Sequence, residues 1–286
     1  MKKTFILVIL LLLSNASISL GNDKFSLYNF SIELSSLVSP PNHIWVTSGY
    51  STVNPSYLTV MGVNECISPP YAAREFNLMV EMTVNGHKIK DIGSYGKGDV
   101  GLLYTGGTWQ PNKIIRRGTY HHFIDGKLIS FGVISELIPL FNKAGFVLKV
   151  AITNRTDSIL DFQLDPIVSP GMPNYIPLNN WAYGRPIEGK EAEMISQNAW
   201  SNDKVKITLI EENSHVYISP QKTMTIYFSV VLSGKDSEEI VSKGLKTWQE
   251  ETNSAWQDRL TKYLKNIPKL TSDIPGFEEY YKRSLV

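Results

Sequence analysis

One cysteine, Cys66, occurs in the 286 residues, so no disulfide can form within the chain. The fold must then be held by its core, which a chain of this length can bury. A lone thiol in "VNECISPP", outside any motif, reads as a small buried apolar group. Charge of one sign is also missing. The formal net charge is +1, and removing Lys2 and Lys3 takes +1 to −1. That balance cannot neutralise a phosphate backbone, so nucleic acid is not expected as a partner. Long apolar runs are absent too. Phe5 to Leu13 is an unbroken apolar stretch of only nine residues, against about 20 for a spanning helix. No GxGxxG or GK[ST] pattern occurs, and no nucleophile elbow, which leaves no expected cofactor. Hydrophobic content of 42% and charged content of 19% are ordinary globular values.

The first 21 residues, "MKKTFILVILLLLSNASISLG", have the order of an export signal. Lys2 and Lys3 form a charged start, the nine-residue run forms the apolar centre, and Ser19 and Gly21 suit cleavage near Gly21-Asn22. No cysteine lies near the cleavage point to take a lipid. The expected location is periplasmic or extracellular.

From residue 22 to about 234 the pattern is that of strands. "YLTVMGV", "EFNLMVEMTV", "GFVLKVAITN", "KVKITLIEE" and "MTIYFSVVLSG" are short runs rich in β-branched and aromatic residues. Asn85-Gly86 and Asp125-Gly126 are dipeptides that admit the positive φ of tight hairpins. Helical periodicity is nearly absent. Many short strands over about 200 residues, roughly twice an immunoglobulin-sized unit, predict an all-β fold with one large two-sheet antiparallel sandwich.

One stretch breaks this rhythm. Asp165 to Met194 holds five prolines and three glycines without a strand or helix period. A loop so long is usually functional when it is not disordered, and Tyr175, Trp181 and Tyr183 argue against disorder. After residue 234 the pattern turns helical. Residues 235–270 read as one linker helix, with Asp236 or Ser237 as its cap and a stripe of Ile240, Val241, Leu245, Trp248, Trp256, Leu260, Tyr263 and Leu264. Pro268 ends it. Residues 271–286 read as the start of another helix, capped by Ser272 or Asp273, with an apolar stripe of Phe277, Tyr280, Tyr281 and Leu285.

This layout resembles the N-terminal part of the six-hairpin glycosidases, in which a supersandwich domain precedes an (α/α)6 catalytic barrel. "VKITLIEENSHVYISPQKTMTIYFSVVLSG" is similar to the last sandwich strands, and "LKVAITNRTDSILDF" to a mid-sandwich strand and turn. "EEIVSKGLKTWQEETNSAWQDRLTKYLKNIPKL" is similar to the linker helix, and "GFEEYYKRSLV" to the first barrel helix. The resemblance implies an exported glycoside hydrolase acting on oligosaccharides, with 271–286 opening a missing α-helical barrel domain. It implies a truncated chain that supports the barrel and is inactive alone. The acid and base of such enzymes lie in the barrel, so no catalytic residue is carried over. Glu278 and Glu279 are adjacent and point about 100° apart, which suits charges at a helix start and not a catalytic pair.

Other candidates weigh less. His121 and His122 alternate faces in a strand, so one metal ion cannot easily take both; no metal site is expected. Arg116-Arg117 reads as a solvated pair. "YGKGDVG" and "YTGGTWQPN" read as loops. Trp109, Trp181 and Tyr183, with Arg185 nearby, form the candidate substrate-binding set, because the C–H face of a sugar stacks on an aromatic ring while its hydroxyls need polar neighbours. Anchoring of the loops on the sandwich is the competing use. Two other classes remain open: a stand-alone exported carbohydrate-binding or surface-interaction protein, and a structural envelope protein. If the Trp181 loop walls a glycan site, Trp181→Ala in a full-length enzyme should raise KM for the oligosaccharide with the fold intact. An unchanged KM removes the loop from the site.

Overall fold

In a computed structural model of the chain, both hairpin dipeptides take left-handed backbone. Asn85 and Gly86 have φ of 49° and 82°, and Asp125 and Gly126 have 50° and 74°. These are the angles of a two-residue turn whose twist matches its strands. The structure describes residues 31–34, 46–47, 52–55, 59–68, 71–73, 76–91, 101–170, 207–212, 214–232, 236–265 and 270–284. The leader-like segment 1–21 and the residues 171–194 of the proline-rich stretch, Trp181, Tyr183 and Arg185 among them, lie outside these.

The described strands form two antiparallel sheets. The seven-stranded sheet runs β1 (Ile32–Leu34), β8 (Leu103–Gln110), β9 (Lys113–Ile124), β10 (Lys127–Pro139), β11 (Gly145–Asn154), β15 (Thr223–Leu232), β13 (Ile207–Glu212). The eight-stranded sheet runs β14 (His215–Ile218), β12 (Leu160–Pro170), β6 (Phe76–Val84), β4 (Val63–Ser68), β3 (Thr52–Pro55), β2 (Val46–Thr47). In it β5 (Tyr71–Ala73) pairs with β4, and β7 (His87–Ile89) with β6. Alternation assigns the faces. Ile129, Phe131, Val133 and Leu137 of β10, Phe146, Leu148 and Val150 of β11, and Ile226, Phe228 and Val230 of β15 share one core with Leu78, Val80, Met82 and Val84 of β6 and with Phe162 and Leu164 of β12. Cys66 is buried in the same core. The expected all-β sandwich is thus the fold.

Several local readings are corrected. "YLTVMGV" does not form one strand: Thr59–Gly62 is irregular and buried, and β4 begins at Val63. A buried stretch outside a ladder needs other partners for its backbone, and side chains supply them. Arg116 donates from Nη1 to the Thr59 carbonyl at 2.6 Å and from Nη2 to the Gly62 carbonyl at 2.5 Å. The Asp91 carboxyl accepts from the N–H of Val60 at 2.9 Å and of Met61 at 2.7 Å. The Ser135 hydroxyl donates to the Val60 carbonyl. Arg116 is therefore not solvated but 4% exposed. Its neighbour Arg117 faces outward, donating to Thr108 Oγ1 at 2.9 Å with Glu33 at 3.5 Å. One strand step separates the two guanidinium groups.

"YTGGTWQPN" is mostly strand, since Leu103–Gln110 is β8. Its glycines mark a bulge instead of a loop. The register with β9 shifts between Tyr104 and Gly106, Gly106 has φ of 122°, and a Cβ on Gly107 would stand 2.4 Å from the Ile115 carbonyl oxygen. β12 also continues to Pro170, so the proline-rich stretch starts in a strand. Asn154, from a fully buried site, ties the turn between β11 and β12 to the end of β14. Its amide nitrogen donates to the Ser158 and Ile218 carbonyls at 2.7 and 2.8 Å, and its amide oxygen accepts from the Thr156 N–H at 2.8 Å.

The helical region is also divided. Residues Asp236–Lys243 form α1 and Leu245–Leu264 form α2, broken at Gly244 with φ of 78°. The Gly244 N–H donates to the Ile240 carbonyl at 3.1 Å, an end typical of glycine just past a helix. Phe277–Ser284 form α3. Gly276, with φ of 80°, precedes it instead of a Ser272 or Asp273 cap; the Ser272 hydroxyl accepts from the Ile274 N–H at 3.1 Å.

Replacing Arg116 with Met should cost about 3 kcal/mol or more, because two buried carbonyls lose their donors and a carboxyl loses its cation. Urea unfolding should show a lower midpoint at unchanged slope. A midpoint equal to that of the parent chain would show that Arg116 does not hold the Thr59–Gly62 segment.

Candidate functional site

Trp109 stands on β8 opposite Ile32 of β1 and Ile114 of β9. Ile114 faces the core, and Trp109 packs half-buried against the same core. It therefore lies within the seven-stranded sheet, one strand in from the edge strand β1, and not in a loop. Its three proposed companions, Trp181, Tyr183 and Arg185, lie outside the described residues, so the set is not assembled here. His121 and His122 occupy consecutive positions of β9 and so face opposite sides. No group of three metal-ligating side chains occurs among the described residues.

What the chain does bring together is a junction between the seven-stranded sheet and its helices. On β9, β10 and β11 the outward positions are Lys113, Glu136 and Lys149. Lys113 Nζ lies 2.5 Å from Glu136 Oε2, and Lys149 Nζ lies 2.6 Å from Glu136 Oε1. Gln249 of α2 donates to Oε2 at 3.5 Å from above. Burial alone would push the Glu136 carboxyl up. The Lys113 ammonium, by charge and hydrogen bond, and the Lys149 ammonium outweigh it and hold the group below the usual glutamate value.

Beside this cluster the helices bury apolar surface on the sheet. Ile240, Leu245 and Trp248 pack with Leu140, Val147 and Val231, and Ile210 and Tyr227 border them. Lys243 Nζ lies 4.4 Å from the Trp248 ring centre and Lys143 Nζ 5.9 Å from it. Further along α2, Thr252 Oγ1 accepts from the Phe141 N–H at 3.2 Å, and Asn253 Oδ1 accepts from Asn112 Nδ2 at 2.5 Å. Trp256, 2% exposed, and Leu260 are buried as well. A buried tryptophan removes about 150–250 Å² from water, on the order of 4–6 kcal/mol at ~25 cal/mol/Å², an upper figure. The exposed Lys143–Glu239 and Lys243–Glu239 pairs are minor beside that. Val241 and Tyr263, expected on the buried stripe, are instead exposed.

Beyond the junction the chain turns apolar side chains to solvent. Tyr263 near the end of α2, Ile274 in the turn, and Phe277 and Tyr280 on α3 are all exposed, Tyr280 at 69%. The rings of Phe277 and Tyr280 stack at 6.5 Å between centres. Glu278 Oε1 accepts from the Ser272 N–H at 3.2 Å, a reach back across the helix start. No helix among the described residues is long and apolar enough to cross a membrane.

Two buried carboxyls among the described residues are thus perturbed, Glu136 and Asp91, and neither is placed for acid–base work. Both Glu136 oxygens hold ammonium groups. Burial pushes the Asp91 carboxyl up to about 7, against the pull of the Val60 and Met61 N–H donors and of Arg116, and both of its oxygens hold backbone. A value near neutrality is often a sign of catalysis, but here the carboxyl is a strut. Neither Asp91 nor Glu136 stood out in the sequence. Only the inward or outward parity of their neighbours in the strands could have pointed to them.

No family model matches the chain, and no curated protein does. Similar solved structures include a protein described as a kojibiose phosphorylase from human microbiome, with a TM-score of 0.41 and 8% identity. The likeness covers 84% of this chain and 38% of that one, so the chain spans well under half of that protein's length.

Glu136→Gln should destabilise the chain by about 1–3 kcal/mol at neutral pH, since two partly buried ammonium groups then share no anion. The pH sign follows from the lowered carboxyl. Its contribution is present above the ordinary glutamate value near 4.3 and is lost as pH falls through the lower folded value. Thermal melts should therefore show the gap between parent and variant narrowing in acid. A gap that is constant with pH would remove Glu136 from the junction's charge balance.

Proposed function

We propose that the chain is the β-sandwich support module of an exported glycoside hydrolase, whose α-helical barrel hydrolyses glycosidic bonds in oligosaccharides. The module braces the barrel and has no hydrolytic activity alone. One observation carries this reading: α1 and α2 bury Ile240, Leu245 and Trp248 on the sandwich, while α3 holds Phe277 and Tyr280 open to solvent. An amphipathic helix of eight residues is marginal by itself, so an exposed aromatic face on it suits a helix that completes its packing against other helices. The leader-like first 21 residues support export to the periplasm or the cell exterior. The candidate glycan contacts Trp181, Tyr183, Arg185 and Trp109 would serve as walls near the barrel mouth.

Reading the coding DNA onward past the codon for Val286 tests the proposal. Helical hairpin repeats bearing two separated carboxylates are expected. Co-expressed with that product, the chain should copurify with it and release reducing sugar from oligosaccharides, and the chain by itself should not. An intergenic region, or a downstream product that neither copurifies nor cleaves glycosides, would overturn it.

A further inference from the structure

The outward face of the eight-stranded sheet carries a second cluster, away from the helices. Tyr217 and His215 of β14 lie across from Asp161 and Gln163 of β12. Gln163 and Asp165 lie in turn across from Thr83 and Glu81 of β6, and Thr83 lies across from Lys88 of β7. Opposed residues share a face, and the inward residues of these strands, Val216, Phe162, Leu164 and Met82, belong to the core. The cluster therefore faces out across four strands, about 14 Å at the usual ~4.8 Å spacing.

Its geometry is ordered by its own contacts. His215 Nε2 lies 2.7 Å from Asp161 Oδ1, which fixes the orientation of the imidazole. The Tyr217 ring sits 5.2 Å from the His215 ring at a 43° tilt and is 65% exposed. Gln163 Nε2 donates to both Asp165 oxygens, at 3.1 and 3.2 Å, so its amide carbonyl is held in a set direction. Lys88 Nζ lies 2.7 Å from Glu81 Oε2 and is already engaged.

We propose that this face binds a neutral oligosaccharide, with the Tyr217 ring as the stacking platform and Asp161, His215, Gln163 and Asp165 as its hydrogen-bonding partners. An aromatic ring takes the C–H face of a pyranose. Carboxylates accept only, and sugar hydroxyls donate. The local charge selects against the other occupants. Asp161, Asp165 and Glu81 outnumber the one engaged lysine, so an anionic sugar or a phosphate would be repelled, and an apolar partner would strip water from carboxylate oxygens without offering donors in return. A polar, uncharged, hydroxyl-rich chain meets both demands. This site does not depend on a helical partner domain.

Affinity electrophoresis of the whole chain through gels containing soluble β-glucan, xylan, galactomannan or amylopectin tests it. At least one polysaccharide should retard the chain. Titration with the hexasaccharide of that polymer should give binding that Tyr217→Ala weakens about tenfold or more and that Asp161→Asn also weakens. Phe123→Ala, which removes an exposed aromatic elsewhere, should bind as the parent does. Thermal midpoints should be unchanged in all three; if Tyr217→Ala unfolds, Tyr217→Phe and Asp161→Asn decide, with the first binding and the second weakened. No retardation by any of the four polymers overturns the proposal, as does unchanged binding in the folded Tyr217 and Asp161 variants. Neither result bears on whether a helical domain packs on α3.

Discussion

The sandwich depends on how its two sheets are joined where no ladder joins them. Thr59–Gly62 enters β4 as buried, irregular chain, and five of its backbone groups are met by three side chains. Arg116 and Ser135 come from the seven-stranded sheet at paired positions of β9 and β10, while Asp91 follows β7 of the other sheet. An unmet buried carbonyl or amide would cost about 1–3 kcal/mol, so five of them outweigh the net stability of many domains. The register of β9 against β10 is thereby tied to the start of β4. A slip of β9 by one residue against β10 would turn Arg116 to solvent and leave Ser135 facing the core without it.

The same alternation that aims Arg116 inward aims Lys113 and Arg117 outward, and it builds the platform for the helices. Lys113, Glu136 and Lys149 stand in a patch of sheet that α2 partly covers, with Ile240, Leu245 and Trp248 supplying the apolar contact. The ion cluster does not supply most of the adhesion; desolvation offsets much of its Coulomb gain. Its use is placement, because Gln249 meets Glu136 in one setting of α2. The two perturbed carboxyls also oppose each other in pH. The raised Asp91 contributes fully below the ordinary aspartate value and loses that contribution as pH rises through about 7. The lowered Glu136 loses its contribution on the acid side.

Much of the fold was legible because turn chemistry and period agreed. Asn85-Gly86 and Asp125-Gly126 lie in hairpins, and "GFVLKVAITN" is β11 from first residue to last. The misreadings share a cause: a local pattern was overruled by a partner distant in sequence. "YLTVMGV" has strand composition, yet its Thr59–Gly62 is held by Asp91, Arg116 and Ser135. The glycines of "YTGGTWQPN" signalled a loop, yet β9 passes so close that a strand there requires glycine at 107. Gly244 was a legible stop inside the helical stretch, outweighed by the apolar stripe running through it. Of the candidate glycan contacts, Trp109 lies in β8 between β1 and β9, and no spacing rule in the sequence could have told that from a loop position. The Tyr217 face was invisible for a different reason. Its members come from strands far apart in the chain, and only the pairing of β14 with β12 and of β12 with β6 collects them.

The two outer faces of the sandwich therefore solve the same problem in opposite ways. An antiparallel sheet can leave one face to water if its outward residues are polar. The seven-stranded sheet sets Val147 and Val231 outward near α1 and α2, and there it requires a cover, which Ile240, Leu245 and Trp248 provide. The eight-stranded sheet sets Asp161, Gln163, Asp165, Thr83 and Glu81 outward along β12 and β6, and that row requires none. A strand that needs only solubility would be served by such residues alone. Tyr217 and the braced His215 exceed that need, since an exposed ring gains nothing from water. The surplus lies in the uncovered face, beside acceptors with capacity left, and this is where a ligand has room to approach.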